Sequence, residues 1–149
     1  MIAATLNFGC LSTKIVKSRQ DFYAGDYVSA ASRLEEIKNK KGKNRTLVLL
    51  EYGLALHEAG NYRESIDALL EADRVIRQEE VVHLGEETGS LVTNEMITTF
   101  KPESFEKVLV HTYLAINFMM MDDWSASRVE AKRALDADQS SIIMKFIAR

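Results

Sequence analysis

Residues 47–75 read LVLLEYGLALHEAGNYRESIDALLEADRV, and the reading of this stretch decides the fold. Leu47, Leu50 and Leu54 fall on one line, and Leu49, Tyr52 and Leu56 on another, which is the spacing of an α-helix. Ala59-Gly60-Asn61 breaks it, and Tyr62, Ile66, Leu69 and Leu70 resume the same spacing, with Asp73 and Arg74 beyond. The stretch predicts two helices folded back on each other. A hairpin with two apolar faces cannot bury both alone, so it needs further hairpins beside it.

The chain supplies them. Gly25-Asp26-Tyr27 stands 35 residues before Gly60-Asn61-Tyr62, and Asp122-Asp123-Trp124 stands 62 residues after it. A helix over 12–24, carrying Ile15, Val16, Arg19, Phe22 and Tyr23, leads into the first break. Tyr27, Ala30, Ala31, Leu34 and Ile37 follow it as one apolar face, and the loop 39–44 closes this hairpin. Around the third break, Leu114-Ala115 and Phe118 echo Tyr52-Gly53 and Leu56, while Ser127 and Ala134 echo Ser65 and Ala72. Tyr27, Tyr62 and Trp124 recur two residues past each break. Each is expected to wedge between its own two helices. The pattern predicts an all-α fold of three hairpins, and it resembles the tetratricopeptide repeat, a helix-turn-helix unit stacked into a right-handed solenoid. The resemblance rests on Gly53 and Ala115 at the helix crossings, on the three aromatics, on Ala30, Ser65 and Ser127, and on Ala72 and Ala134. It covers roughly 12–76 and 106–138. No proline ends any unit, and the first helix of the first hairpin matches poorly.

Between the second and third hairpins the register is lost. Residues 76–84 extend the preceding helix, with Val75, Ile76, Val81 and Val82 as its apolar positions. An irregular insert follows at about 85–101, and a new helix is expected to begin near Pro102, since proline is at home in a first helical turn. Leu91, Val92, Met96, Ile97 and Phe100 make the insert apolar enough to pack. GSLVTNE, FEKVLVHTYLAINFMMMDDW and RVEAKRAL together resemble a family of poorly characterised bacterial lipoproteins built from such repeats. Glu106, the helix over 108–118 and the segment 129–133 carry the match, which spans 21–135. The resemblance implies a scaffold of the cell envelope, with no reaction attached. Members of that family generally continue further, which implies that this chain, ending in SSIIMKFIAR and one short helix, is a piece of a longer one.

The N-terminal segment 1–11, MIAATLNFGCL, has no charged side chain and is too short to span a bilayer. Gly9-Cys10 after an apolar run has the form of the end of a lipoprotein signal, with Cys10 as the lipidated residue and membrane tether. Asn7 and Phe8 depart from that form, and the basic start is missing. If Met1 is the true start, a cytoplasmic adaptor is the expectation instead.

Composition removes other classes. Apolar residues at 46% and charged residues at 28% make an ordinary globular balance. A net charge of −3 argues against a nucleic-acid partner. Lys38, Lys40, Lys41, Lys43 and Arg45 around Gly42 are read as a solvated loop beyond a helix end. One cysteine excludes an internal disulfide framework and a cysteine-rich zinc site. His57, His83 and His111 fall on different helices without a ligand four residues on, so no metal site or cofactor is expected. Gly85 and Gly89 form no phosphate loop. Glu106 and Glu130 are the acids an enzymatic reading would use, yet Arg133 is spaced to pair with Glu130 on one helix. Asn117, alone among apolar neighbours, is expected to hydrogen-bond a neighbour.

The leading expectation is therefore a non-catalytic protein-interaction scaffold. Its first helices would line a concave groove with Leu47, Leu50, Leu54, His57 and Glu58, then Leu109, Thr112, Ile116, Met119 and Met120. Lysine and asparagine clamps for a C-terminal carboxylate are missing from these positions. The remaining surface suits an apolar peptide or helix, with methionines adaptable to varied partners. Two alternatives stand beside it: filling of the groove by 85–101 or by the tail 142–147, and closure of a homo-oligomer through the groove or last hairpin.

Overall fold

The computed structural model describes residues 10–40, 42, 44–86 and 104–147, giving only the helical path for 10–12, 79–86, 104–106 and 140–147. These residues form α1 (Cys10–Tyr23), α2 (Tyr27–Glu35), α3 (Arg45–Glu58), α4 (Tyr62–Glu86), α5 (Ser104–Met120) and α6 (Trp124–Ile147). Each helix packs on the next, and the six form consecutive antiparallel pairs, α1/α2, α3/α4 and α5/α6. The three hairpins expected from the breaks are present. The extension of the fourth helix is also present and runs to Glu86, so positions 85 and 86, placed in the insert, are helical. The fifth helix starts at Ser104, just past Pro102. The closing residues 140–147 do not form a separate short helix but continue α6. The insert's apolar residues and Pro102 lie outside the described residues, as do Lys41 and Lys43.

The hairpin turns share one construction. Gly25 and Gly60 adopt φ of 82° and 80°, and Asp122 occupies the corresponding place with φ of 60°. In each turn the next amide reaches back five residues: Asp26 N donates to Asp21 O, Asn61 N to Leu56 O and Asp123 N to Phe118 O, all at 2.9 Å. A left-handed residue with this back-bond is the Schellman close of a helix. The acidic residue then caps the following helix, Asp26 Oδ1 accepting from Ser29 N at 3.1 Å and Asp123 Oδ1 from Ala126 N at 3.0 Å. A left-handed φ costs a residue with a Cβ roughly 1 kcal/mol, so Asp122→Gly is expected to stabilise the protein by about 0.5–1 kcal/mol. An unchanged or lower urea midpoint would show that Asp122 is already relaxed there.

The core is a series of junctions between neighbouring hairpins. Ile15, Ala30, Ala31, Leu34 and Ile37 meet Val48, Tyr52, Ala55 and Leu56 at the first, where Ala30 and Ala55 are wholly enclosed. Ile66 and Leu69 meet Val110 and Leu114 at the second. At the α3/α4 crossing the small residue expected there permits close approach. A Cβ on Gly53 would lie 2.7 Å from Cγ and Cδ2 of Leu69. Glycine therefore sets how closely α3 and α4 approach. At the same crossing Ser65 Oγ donates to Gly53 O at 2.7 Å, and in the first hairpin Ser18 Oγ donates to Ala30 O at 3.0 Å. The serine has moved to the other helix of the pair, yet the hydroxyl-to-carbonyl tie is kept.

The wedge expected of the three aromatics holds for two. Tyr27 packs edge-on against Phe22 at 5.1 Å, and Tyr62 against His57 at 5.7 Å. Trp124 is 56% exposed. Its counterpart five residues back is Met119, itself 40% exposed, so the ring that receives each tyrosine is absent from the third hairpin. In the second hairpin Tyr113 also closes over His57 at 4.9 Å. Among the described residues no helix follows α6 to do the same. The basic cluster is only partly a solvated loop: Lys38 lies 4.6 Å from the Tyr52 ring centre, and Arg45 pairs with Glu71 at 2.6 Å.

Candidate functional site

Leu47, Leu50 and Leu54 project from α3 at three- and four-residue intervals, so they share a helix face. On this face two cavities open side by side. The larger, about 270 Å³, lies where α3 faces α5 and is lined by Leu47, Leu50, Glu51, Leu54, Leu69, Leu109, Val110 and Tyr113. The smaller, about 190 Å³, lies where α3 faces α1 and is lined by Ser18, Arg19, Phe22, Tyr23, Leu34, Glu51 and Leu54. Glu51 and Leu54 belong to both and form the wall between them.

The charged residues of these walls are Arg19 and Glu51. Arg19 Nε donates to Glu51 Oε1 at 2.7 Å, and Nη2 reaches the same oxygen. This hydrogen bond raises the Arg19 guanidinium above its ordinary value, against a smaller opposing effect of burial. Oε2 of Glu51 is buried without a hydrogen-bond partner.

Of the residues expected to line the groove, the structure brings Leu47, Leu50 and Leu54 together with Leu109. His57 is engaged elsewhere. Its Nδ1 lies 2.6 Å from Asn117 Oδ1, Asn117 Nδ2 donates to Ser65 Oγ at 2.8 Å, and Ser65 Oγ in turn donates to Gly53 O. An amide oxygen carries no hydrogen, so His57 is the donor. This chain of polar groups joins α3, α4 and α5, and in it Asn117, fully buried, bonds its neighbours as expected. Thr112 turns its hydroxyl back to Val108 O at 2.8 Å. Ile116 is half-buried, and Met119 and Met120 are exposed, none of them on the cavity walls. Glu58 is exposed beyond the groove. Missing from the expected set were Glu51, Tyr113, Val110 and Leu69 of the larger cavity, and Ser18, Arg19, Phe22, Tyr23 and Leu34 of the smaller. Glu51 was recoverable, because it falls four residues after Leu47 and three before Leu54, on the face already singled out.

Of the two acids considered for catalysis, Glu130 is described and is paired. Glu130 accepts from Arg133 Nη1 at 2.6 Å and lies 2.8 Å from His111 Nδ1. The expected Glu130–Arg133 ion pair is therefore present. On its other side His111 Nε2 is 3.8 Å from Asp73 Oδ1, and Asp73 is paired with Arg77. Asp73, His111 and Glu130 are all buried, and they link α4, α5 and α6. Both oxygens of Glu130 are thus engaged, one by Arg133 and one by His111. The side chains of Glu106, His83 and Cys10 lie outside the described ones, Cys10 being the first residue of α1. Among the described residues no group of three or more His, Cys, Asp or Glu is placed to hold a metal ion. Among them, too, no helix is long and apolar enough to cross a membrane. No family model, curated protein or solved structure matches the chain.

Proposed function

We propose that this chain is a non-catalytic scaffold of the tetratricopeptide-repeat kind that seats a peptide or helix of a partner protein on the α1/α3/α5 face. The observation that carries this reading is the pair of adjoining cavities on that face, the larger leucine-rich and the smaller lined by Phe22, Tyr23 and two leucines beside Ser18 and the Arg19–Glu51 pair. Each is smaller than the roughly 300–1,000 Å³ clefts that enclose small molecules, and their size suits single apolar side chains. A row of such recesses along a helix stack is the form expected for a helix or strand of a partner. In this reading the scaffold works at the bacterial cell envelope, tethered through lipid on Cys10, as the resemblance of the sequence implies.

Leu54→Asp tests the groove, because it places a carboxylate on the wall common to both cavities. Affinity capture from envelope extracts should recover a protein with the wild type and lose it with Leu54→Asp, at unchanged helicity. Recovery of the same proteins by both would remove the groove from the function. Intact mass and membrane fractionation of the protein from its native host test the tether: a lipid-modified Cys10 in the membrane fraction is the expected result. An unmodified chain outside the membrane fraction would overturn the tether and leave the adaptor reading.

A second reading, closure of a homo-oligomer through the last hairpin, is favoured by the exposure of Trp124 and Leu135 at 56% and 63%. Light scattering that gives a monomer at every concentration would exclude it.

A further inference from the structure

The last hairpin leaves open a row of positions that the first two hairpins enclose. In α4, Ile66, Leu69, Asp73 and Ile76 are buried. Ile66 and Leu69 lie with Val110 and Leu114 of α5, and Asp73 faces His111. In α2, 35 residues earlier, Ala31 and Leu34 are enclosed against residues of α3. The 62 residues between Tyr62 and Trp124 carry the same row to Arg128, Ala131, Leu135 and Asp138 of α6, and all four are exposed. Trp124, also exposed, extends the row by one turn. Steps of three and four residues are the seam spacing of two helices packed side by side. Two apolar positions of α4 have become charges at the ends of this row: Arg128 replaces Ile66 and Asp138 replaces Ile76. Neither charge has a partner among the described residues.

Read along α6, the row runs cation, small, large, anion, and reversed it is its own complement. Two copies of α6 laid antiparallel, about a twofold axis level with position 133, set Arg128 against Asp138 and Ala131 against Leu135, each twice. We infer that a second copy of this chain covers the row, α6 against α6, in an antiparallel dimer. This rests on the homo-oligomer reading above and gives it a seam. Such a self-complementary contact closes at two copies. Head-to-tail stacking, with the first hairpin of one copy placed as α5/α6 sits on α3/α4, is opposed by charge. The α1 residue in the place of Leu114 is the exposed Lys17, which would meet Arg128. Lys132 flanks the seam near the axis and is exposed, so the repulsion between its two copies is screened by solvent.

Sedimentation velocity of the full chain over a concentration series is expected to show a monomer–dimer equilibrium with a Kd on the order of 10 μM, weak because one helix row is a small interface. Arg128→Asp and Asp138→Arg should each weaken it about tenfold or more, by setting like charges together at both ends of the seam. An equimolar mixture of the two variants should restore the dimer, because every charge then meets its opposite. Both positions are exposed, so circular dichroism should show unchanged helicity. A monomer throughout the series would remove the oligomer reading and this seam with it. A dimer indifferent to both substitutions, a dimer lost in both and not restored by mixing, or assembly beyond two copies would overturn the antiparallel seam alone.

Discussion

Leu114→Ala is expected to cost about 3–5 kcal/mol, the upper half of the range for deleting an enclosed leucine. Leu114 is fully buried at the second junction, among Ile66, Leu69 and Val110. The cavity left behind cannot close easily, because α3 and α4 are held at a fixed approach by the Gly53–Leu69 contact. A loss of this size is a large share of the roughly 5–15 kcal/mol that holds a domain folded. Urea unfolding should show a lower midpoint with an unchanged slope. A reduced slope would instead mean that the third hairpin unfolds before the others, and a loss under about 1 kcal/mol would show that the junction can repack.

His111→Phe is expected to cost about 2–3 kcal/mol, despite keeping an aromatic ring of similar bulk, because it takes a hydrogen-bond partner from buried carboxylates. The ring it replaces touches Glu130 through Nδ1 and faces Asp73 through Nε2. Phenylalanine would leave both buried carboxylates turned toward an apolar edge. Arg77 and Arg133 still neutralise them from the outside, at 57% and 44% exposure, so the loss is that of a buried hydrogen-bond partner rather than of the carboxylates' counter-ions. The control is a triple variant, Asp73→Leu with His111→Phe and Glu130→Met. It should recover most of the stability, as apolar replacement of a whole buried ionic group often does. If the single variant is as stable as the wild type, the arginines alone hold the carboxylates and His111 is only filler.

The hairpins were legible because they are written in local terms. Gly25 and Gly60 mark left-handed turns, and Asp122 marks the third through its position after a matching helix. The apolar spacing of α2, α3 and α5 follows from helix geometry alone. The site was legible in part. Spacing shows which residues share a face of α3, and so finds Leu47, Leu50 and Leu54. It cannot show what a neighbouring helix does to that face. His57 shares the face by spacing, but Asn117, 60 residues away, draws it into the polar chain. Trp124 matched Tyr27 and Tyr62 as a residue type, yet its burial depends on a ring at position 119 and on a following helix to cover it. Such dependencies are tertiary, and no window of sequence contains them.

The two cavities have a consequence for how binding and folding relate. Each is bounded by helices of two adjoining hairpins, so neither exists within a single hairpin. The groove proposed to receive a partner is made by the joints of the stack and lasts only while they are closed. Anything seated across both joints draws on three hairpins at once and stiffens the array along its length, by the ordinary linkage of binding to the bound form. On the proposed reading, loosening either joint, even far from the leucines, weakens the grip on an occupant. Mechanical coherence of the stack and affinity for such a guest are then one equilibrium, read from two sides.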